Sequence, residues 1–215
     1  MKLKISVLVI ICLSLLHLQA ESAKLVMIED FESGTVSLNS YAIEDNSPSA
    51  WSLDQTYTYN SSQYALKLSG NTWKQQPINP LPIMPDDVMQ VAIRSSGNYA
   101  RIQGIGFSNG THTLFYSIEG TATLNIEQWV TVYQGAFSTA TWNLFQLPVA
   151  DDWWAYFDEL PTLTSVIYVN DPDTGTGSAW FDNLSRLTTE IPNAPTVSIS
   201  YNTGPVKTLD KHLRN

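Results

Sequence analysis

The chain reads as an all-β protein, a jelly-roll β-sandwich with one short helix, and three observations lead there. Short runs of alternating or continuous apolar residues recur between residues 24 and 188. Gly, Asn, Ser and Pro clusters separate them at intervals too short for βαβ units. Aromatic residues make up 11% of the 215-residue chain and charged residues only 14%, a balance that suits an ordered β-rich domain rather than a disordered or coiled-coil one.

Residues 1–23 come first. Lys2 and Lys4 precede an apolar run from Ile5 to about Leu16, and small residues follow at Ala20, Ser22 and Ala23, the pattern of a signal peptide. The run falls short of the ~20 residues that span a bilayer, and an anchored N-terminal helix is the competing reading. Cys12, the only cysteine, lies inside it, so the mature chain has no disulfide and relies on packing or on a metal. A secreted, extracellular or cell-surface protein without a membrane span in its mature form is expected.

Residues 24–31 form a first strand that runs into Glu29, Asp30 and Glu32, and polar residues 35–50 read as a long loop. Residues 51–57 and 64–69 are strands, the second setting Tyr64, Leu66 and Leu68 against Ala65 and Lys67. The Pro-rich stretch 77–85 is expected to be a connection, because proline cannot donate to a ladder. Residues 88–93 and 99–107 read as a hairpin joined through Ser95, Ser96, Gly97 and Asn98, and Asn109-Gly110 turns the chain into a strand at 112–118. Strands follow at 129–137, 142–149 and 163–170. A brief helix precedes the last of these, with Asp151 or Asp152 as its cap and Pro161 as its stop. Trp153 and Trp154 lie about 100° apart on that helix, so one is core and the other exposed; Trp129 and Trp180 are also expected in the core. The segment 179–184, AWFDNL, closes the sandwich and places Asp182 among apolar residues. Residues 189–215 are a linker (EIPNAP) and a tail, either disordered or truncated, in which TVSISYNTG resembles the first strand of an Ig-like or PKD-like module.

A net charge of -9 without any basic cluster argues against a nucleic-acid partner. The mature chain has only His112 and His212, with no G-x-S-x-G motif and no His/Cys cluster, which removes the usual routes to a Ser-His-Asp site or a transition-metal site. Asp151, Asp152, Asp158 and Glu159 could serve as the carboxylate pair of a small glycan hydrolase or lyase, but capping and a solvated helix face account for them more simply. Calcium suits the hard oxygens of Asp30, Glu32 and Asp182, because the first and last strands of a jelly roll often lie side by side. The loop Asp171-Pro172-Asp173-Thr174-Gly175 is a second candidate without EF-hand spacing. Trp51, Trp73, Tyr99, Trp142 and Trp154 are the candidate sugar-stacking rings, with Arg101 and Gln103 as polar partners.

The segments IEDFESG, ALKLSG, IGFSNGTHTLFYSIEGT, the W-x-x-F-x-LPV-x-x-DW pattern and AWFDNL together resemble secreted bacterial carbohydrate-binding modules of the galactose-binding-like kind over residues 25–188. The resemblance implies a jelly roll, a structural calcium at Asp30, Glu32 and Asp182, and fusion to enzymes or Ig-like repeats. The function expected is non-catalytic recognition of a polysaccharide or oligosaccharide by a monomer or by one part of a multidomain chain. A structural or adhesive cell-surface domain with buried aromatics is the alternative.

Overall fold

The computed structural model describes residues 23–189 except 42–43, 97–99, 121–127, 132–138 and 173–175. The signal peptide, the tail beyond Thr189, Tyr99 and most of the Asp171–Gly175 loop therefore lie outside the described residues, as do the side chains of residues 128–131. Twelve strands and one helix follow in order: β1 Ala23–Glu29, β2 Asn39–Ser40, β3 Trp51–Asp54, β4 Ala65–Ser69, β5 Thr72–Pro82, β6 Val88–Ser95, β7 Ala100–Ser108, β8 Thr113–Glu119, β9 Gln128–Thr131, β10 Trp142–Leu147, α1 Val149–Phe157, β11 Thr162–Pro172 and β12 Ser178–Thr189. They make two six-stranded sheets. The first runs β10-β6-β12-β4-β3 with β1 also on β12, and the second runs β2-β5-β11-β7-β8-β9. Every pairing is antiparallel except β8 with β9.

Alternation along the strands separates the core from the two outer faces. Leu66, Leu68, Val91, Ile93, Phe145, Phe181 and Leu184 of the first sheet meet Ile105, Phe107, Leu114, Tyr116, Val166 and Tyr168 of the second in one buried cluster. Burying each such side chain contributes about 1.5–3 kcal/mol, which a chain without disulfides relies on. The Tyr168 and Phe181 rings, 5.1 Å apart, bridge the sheets.

The long strand β12 organises the first sheet. Its first residues, from Ser178 to Phe181, pair with β4, and Leu184 to Thr189 pair with β1, so β1 and β4 lie end to end along one side of it. The first and last strands are thus neighbours, and a notch remains where β1 stops and β4 starts. Asn183, with φ 52°, lies at that notch inside a bulge between Asp182 and Ser185.

Several expectations are corrected. Residues 77–82 continue β5 instead of forming a connection, because β2 pairs with β5 only at Lys74 and Gln75 and leaves the rest of that side an edge, where proline is tolerated. The segments 88–93 and 99–107 do not form a hairpin: β6 pairs with β10 and β12 while β7 pairs with β11 and β8, so the chain crosses between sheets there. Pro148 occupies the N-cap of α1 and no side chain caps it; Asp152 instead accepts a hydrogen bond from the Tyr116 hydroxyl at 2.9 Å. The helix stops ahead of Pro161, at Asp158, whose left-handed φ of 55° ends the turn. The β7–β8 hairpin at Asn109-Gly110 forms as expected, with Gly110 at φ 91° and Asn109 Oδ1 accepting from the N–H groups of Thr111 and His112.

Candidate functional site

The outer face of the first sheet carries an ordered row of rings and cations. In β12, Ala179 and Phe181 point to the core, so Trp180 points outward. Ladder register then places Arg94 of β6 on one side of Trp180 and Lys67 of β4 on the other, with Trp142 of β10 beyond Arg94 and Ser52 of β3 beyond Lys67. Residues paired across strands share a face, so Trp142, Arg94, Trp180, Lys67 and Ser52 form one line across five strands.

The loop between β3 and β4 folds over this row, and Asp54 is its anchor. Asp54 Oδ1 accepts the N–H groups of Thr56 (2.5 Å) and Tyr57 (3.2 Å), and Oδ2 accepts the Trp180 indole N–H at 2.9 Å. Burial alone raises the Asp54 pKa, but these hydrogen bonds and the Lys67 charge outweigh it and hold the carboxyl below its ordinary range. The loop delivers Tyr57 edge-on to Trp180 with ring centroids 5.2 Å apart. The Arg94 guanidinium lies 4.2 Å from the Tyr57 ring centroid and 5.2 Å from that of Trp180, and the Lys67 ammonium lies 5.3 Å from the Trp180 ring. Tyr59 packs edge-on against Trp142 at 5.8 Å. Trp180 is only 5% exposed and forms the base, whereas Tyr57 is 44% exposed and presents a ring to solvent, with Leu144 exposed nearby in the next row.

In that next row, Asp182 is fully buried beneath the same loop. Its Oδ2 accepts the Tyr59 N–H at 3.1 Å and its Oδ1 accepts the Asn183 N–H at 2.7 Å. Burial pushes its pKa up to about 6, against the pull of those two N–H groups and the Ser62 hydroxyl, and the Glu32 charge adds to the rise. Glu32 Oε1 accepts the N–H groups of Gln63 and Tyr64, and Asp30 Oδ1 accepts that of Glu32. Asp30, Glu32, Tyr59, Ser62 and Asn183 line a depression of about 310 Å³ at the β1–β4 notch. Among the described residues, no three of His, Cys, Asp and Glu converge closely enough to hold an ion by themselves.

The outer face of the second sheet differs. Trp73, Phe115, Ile167, Val169 and Ile102 form a separate apolar cluster, essentially unexposed, against which Tyr41 stacks on Trp73 with centroids 6.3 Å apart. Gly106 makes room for it: a Cβ there would fall 2.5 Å from two carbons of the Phe115 ring.

The residues singled out as sugar contacts are scattered by the fold. Trp142 joins the outer row of the first sheet. Trp51 pairs with Leu68 and packs, partly buried, on the core side of β3. Trp73 is fully buried, and so is Gln103, whose Nε2 donates to Asn170 Oδ1 at 2.6 Å between the sheets, so neither presents a surface to a sugar; those two assignments are corrected. Arg101 is exposed, with its guanidinium 3.8 Å from the Asp171 carboxylate. On α1, Trp153 is core and Trp154 is 55% exposed, remote in the fold from the Trp142 row. Trp180, expected in the core, is buried on the outer face instead. Sequence reasoning missed Tyr57, Arg94 and Lys67. For Arg94 and Lys67 the available signal was a position between inward-facing neighbours, as Lys67 is between Leu66 and Leu68, but alternation does not reveal which strands become neighbours; Tyr57 lies in a loop and carried no such signal. The acidic residues of α1 go elsewhere: Asp152 is held by Tyr116, Asn109 Nδ2 donates to Glu159 at 3.3 Å, and Asp151 and Asp158 are exposed.

No family model matches the chain, and no curated protein matches it. Solved structures do. One is the family 30 carbohydrate-binding module of a cellulosomal cellulase of Clostridium thermocellum, 15% identical with a TM-score of 0.49, the match covering 79% of this chain and 99% of that one. A family 11 carbohydrate-binding module from a cellulosomal cellulase of the same organism is 16% identical with a TM-score of 0.43 over 79% of this chain and 96% of that one. A family 61 module solved with β-1,4-galactotriose is 14% identical with a TM-score of 0.41 over 75% and 94% of the two chains. The fold itself is a two-sheet β-sandwich, antiparallel but for the β8–β9 pair, with one short helix.

Proposed function

We propose that this chain is a non-catalytic, extracellular glycan-binding domain and that its platform is the outer face of the first sheet. The observation that carries the reading is the Trp142–Arg94–Trp180–Lys67 row with the exposed Tyr57 ring held over it by Asp54. Tyr and Trp rings offer apolar faces to the C–H faces of sugars, and a few fixed polar groups alongside them bond the hydroxyls. Asp54 sets the Tyr57 position through backbone hydrogen bonds, so little ordering remains to be done on binding. Affinity electrophoresis of the mature domain through gels containing a panel of soluble polysaccharides tests the reading. Retardation by at least one polysaccharide, abolished in Tyr57→Ala with the fold unchanged, is expected. An intact fold with no retardation on any gel would overturn it in favour of a structural or adhesive surface domain.

The notch beneath the same loop is proposed as a structural calcium site, with Asp30, Glu32 and Asp182 drawn together by the ion as carboxylate ligands and Asn183 and Ser62 lining the same depression. In support, Asp182 is a buried carboxylate without a Lys or Arg partner among the described residues, and the Glu32 charge raises its pKa further, the situation a divalent cation relieves. Bound calcium would tie β1 to the β3–β4 loop. A rise in melting temperature with calcium, reversed by a chelator and absent in Asp182→Asn, is expected; equal melting with calcium and with chelator would remove the site.

A further inference from the structure

We propose that the glycan recognised on this face is acidic, carrying carboxylate-bearing sugars such as uronates, and that Arg94 is the residue that selects it. The inference rests on the glycan-binding reading above and specifies its ligand.

Cations are scarce in this chain, which has 20 Asp and Glu residues against 11 Lys and Arg. Three of the six described lysines and arginines sit in ion pairs. Lys74 is buried against Asp45 at 2.5 Å, Arg186 lies 3.5 Å from Asp87, and Arg101 lies 3.8 Å from Asp171. Arg94 is different: among the described residues its guanidinium has no carboxylate within ion-pair distance and no hydrogen-bond acceptor, and its Nη1 is buried without a partner. Buried polar groups are rarely left so, and a guanidinium planted between two aromatic rings is fixed in orientation and still charged. The residue as a whole is only partly buried, and its guanidinium lies 4.2 Å from the centroid of the exposed Tyr57 ring.

The other charges on the face leave Arg94 as its available cation. Asp54, two residues beyond Ser52 on β3, reaches the row through the Trp180 indole, but its oxygens are taken by Thr56, Tyr57 and Trp180, and Lys67 is the cation that acts on it. Asp182, one row away, is buried under Tyr59 with both oxygens bonded to backbone N–H groups. Arg94 and Lys67 sit on strands either side of β12, so their backbone positions are on the order of 10 Å apart, about the reach of a disaccharide. A ligand carboxylate would take the free edge of the Arg94 fork as a bidentate, charge-assisted pair while its ring stacks on Tyr57.

The test is titration calorimetry of the mature domain with oligogalacturonate and with the same oligomers after their carboxyl groups are reduced to alcohols. Tight binding of the acid form, at least tenfold weaker binding of the reduced form, and falling affinity with rising salt are expected. Arg94→Gln should lose the preference, and Arg94→Lys should keep the salt dependence while losing affinity, since an ammonium cannot form the fork. Equal binding of both forms, or neutral galactan or β-glucan bound as tightly as the oligogalacturonate, would overturn the acidic-ligand inference and leave the glycan platform standing. Absence of binding to every acidic and neutral glycan, with the fold intact, would overturn both. The reduced-ligand comparison uses the unaltered protein, so it decides even if an Arg94 variant fails to fold.

Discussion

The two sheets of this sandwich both carry tryptophan on their outer faces, and they use it in opposite ways. On the second sheet Trp73 lies with Phe115, Ile167 and Val169 in a cluster without charge and without exposure, and a glycine at position 106 lets the Phe115 ring settle on the strand. On the first sheet Trp180 is flanked by Arg94 and Lys67 and lies under a tyrosine that remains 44% exposed. Aromatic content alone therefore does not mark a platform. What separates the two faces is the presence of cations in the row and of a loop that holds one ring outward.

The largest effect is expected at Trp73. Trp73→Ala should cost about 3–5 kcal/mol of stability, the range for deleting a fully buried tryptophan, with the affinity of the folded fraction for glycan unchanged. A cost in denaturant unfolding below about 1 kcal/mol would mean that the second face is open. Gly106→Ala comes next, because its Cβ must displace the Phe115 ring; about 1–3 kcal/mol of destabilisation is expected in the same measurement. Tyr57→Ala should invert this pattern, with stability changing by about 1 kcal/mol or less and glycan affinity falling at least about tenfold, roughly 1.4 kcal/mol.

The smallest effect is that of pH at Asp54. Its folded pKa lies below the unfolded value, so its stabilising contribution is complete above the unfolded pKa and is lost as pH falls through the depressed folded one. Thermal melting from about pH 6 down to about pH 2 should show the wild type losing stability relative to Asp54→Asn across that lower window. A constant difference between the two proteins would detach Asp54 from the loop that presents Tyr57.

Much of the fold was legible because alternation is local. The Leu66-Lys67-Leu68 and Asn109-Gly110 signals specify a strand and a hairpin by themselves. The 77–82 segment was not legible, because whether proline is tolerated depends on which edge a strand occupies, a fact set by the brevity of β2. The 88–107 segment failed for a similar reason: its turn composition is that of a hairpin, but pairing with β12 holds β6 in the other sheet. The candidate site was read least well. Trp142 was singled out and falls in the proposed row, yet Arg94, Trp180 and Lys67 come together only through the register of three strands far apart in sequence, and no spacing within the chain encodes that register. Asp152 read as a helix cap because the identity of its partner, Tyr116 on β8, is equally non-local.

Ligand is expected to meet the first sheet and not the second. Tryptophan indole N–H resonances, assigned by single substitutions, report this directly during titration with an oligogalacturonate. Progressive shifts for Trp180 and Trp142, on either side of Arg94, are expected, with Trp73 unmoved. Shifts at Trp73 that leave Trp180 and Trp142 in place would contradict it.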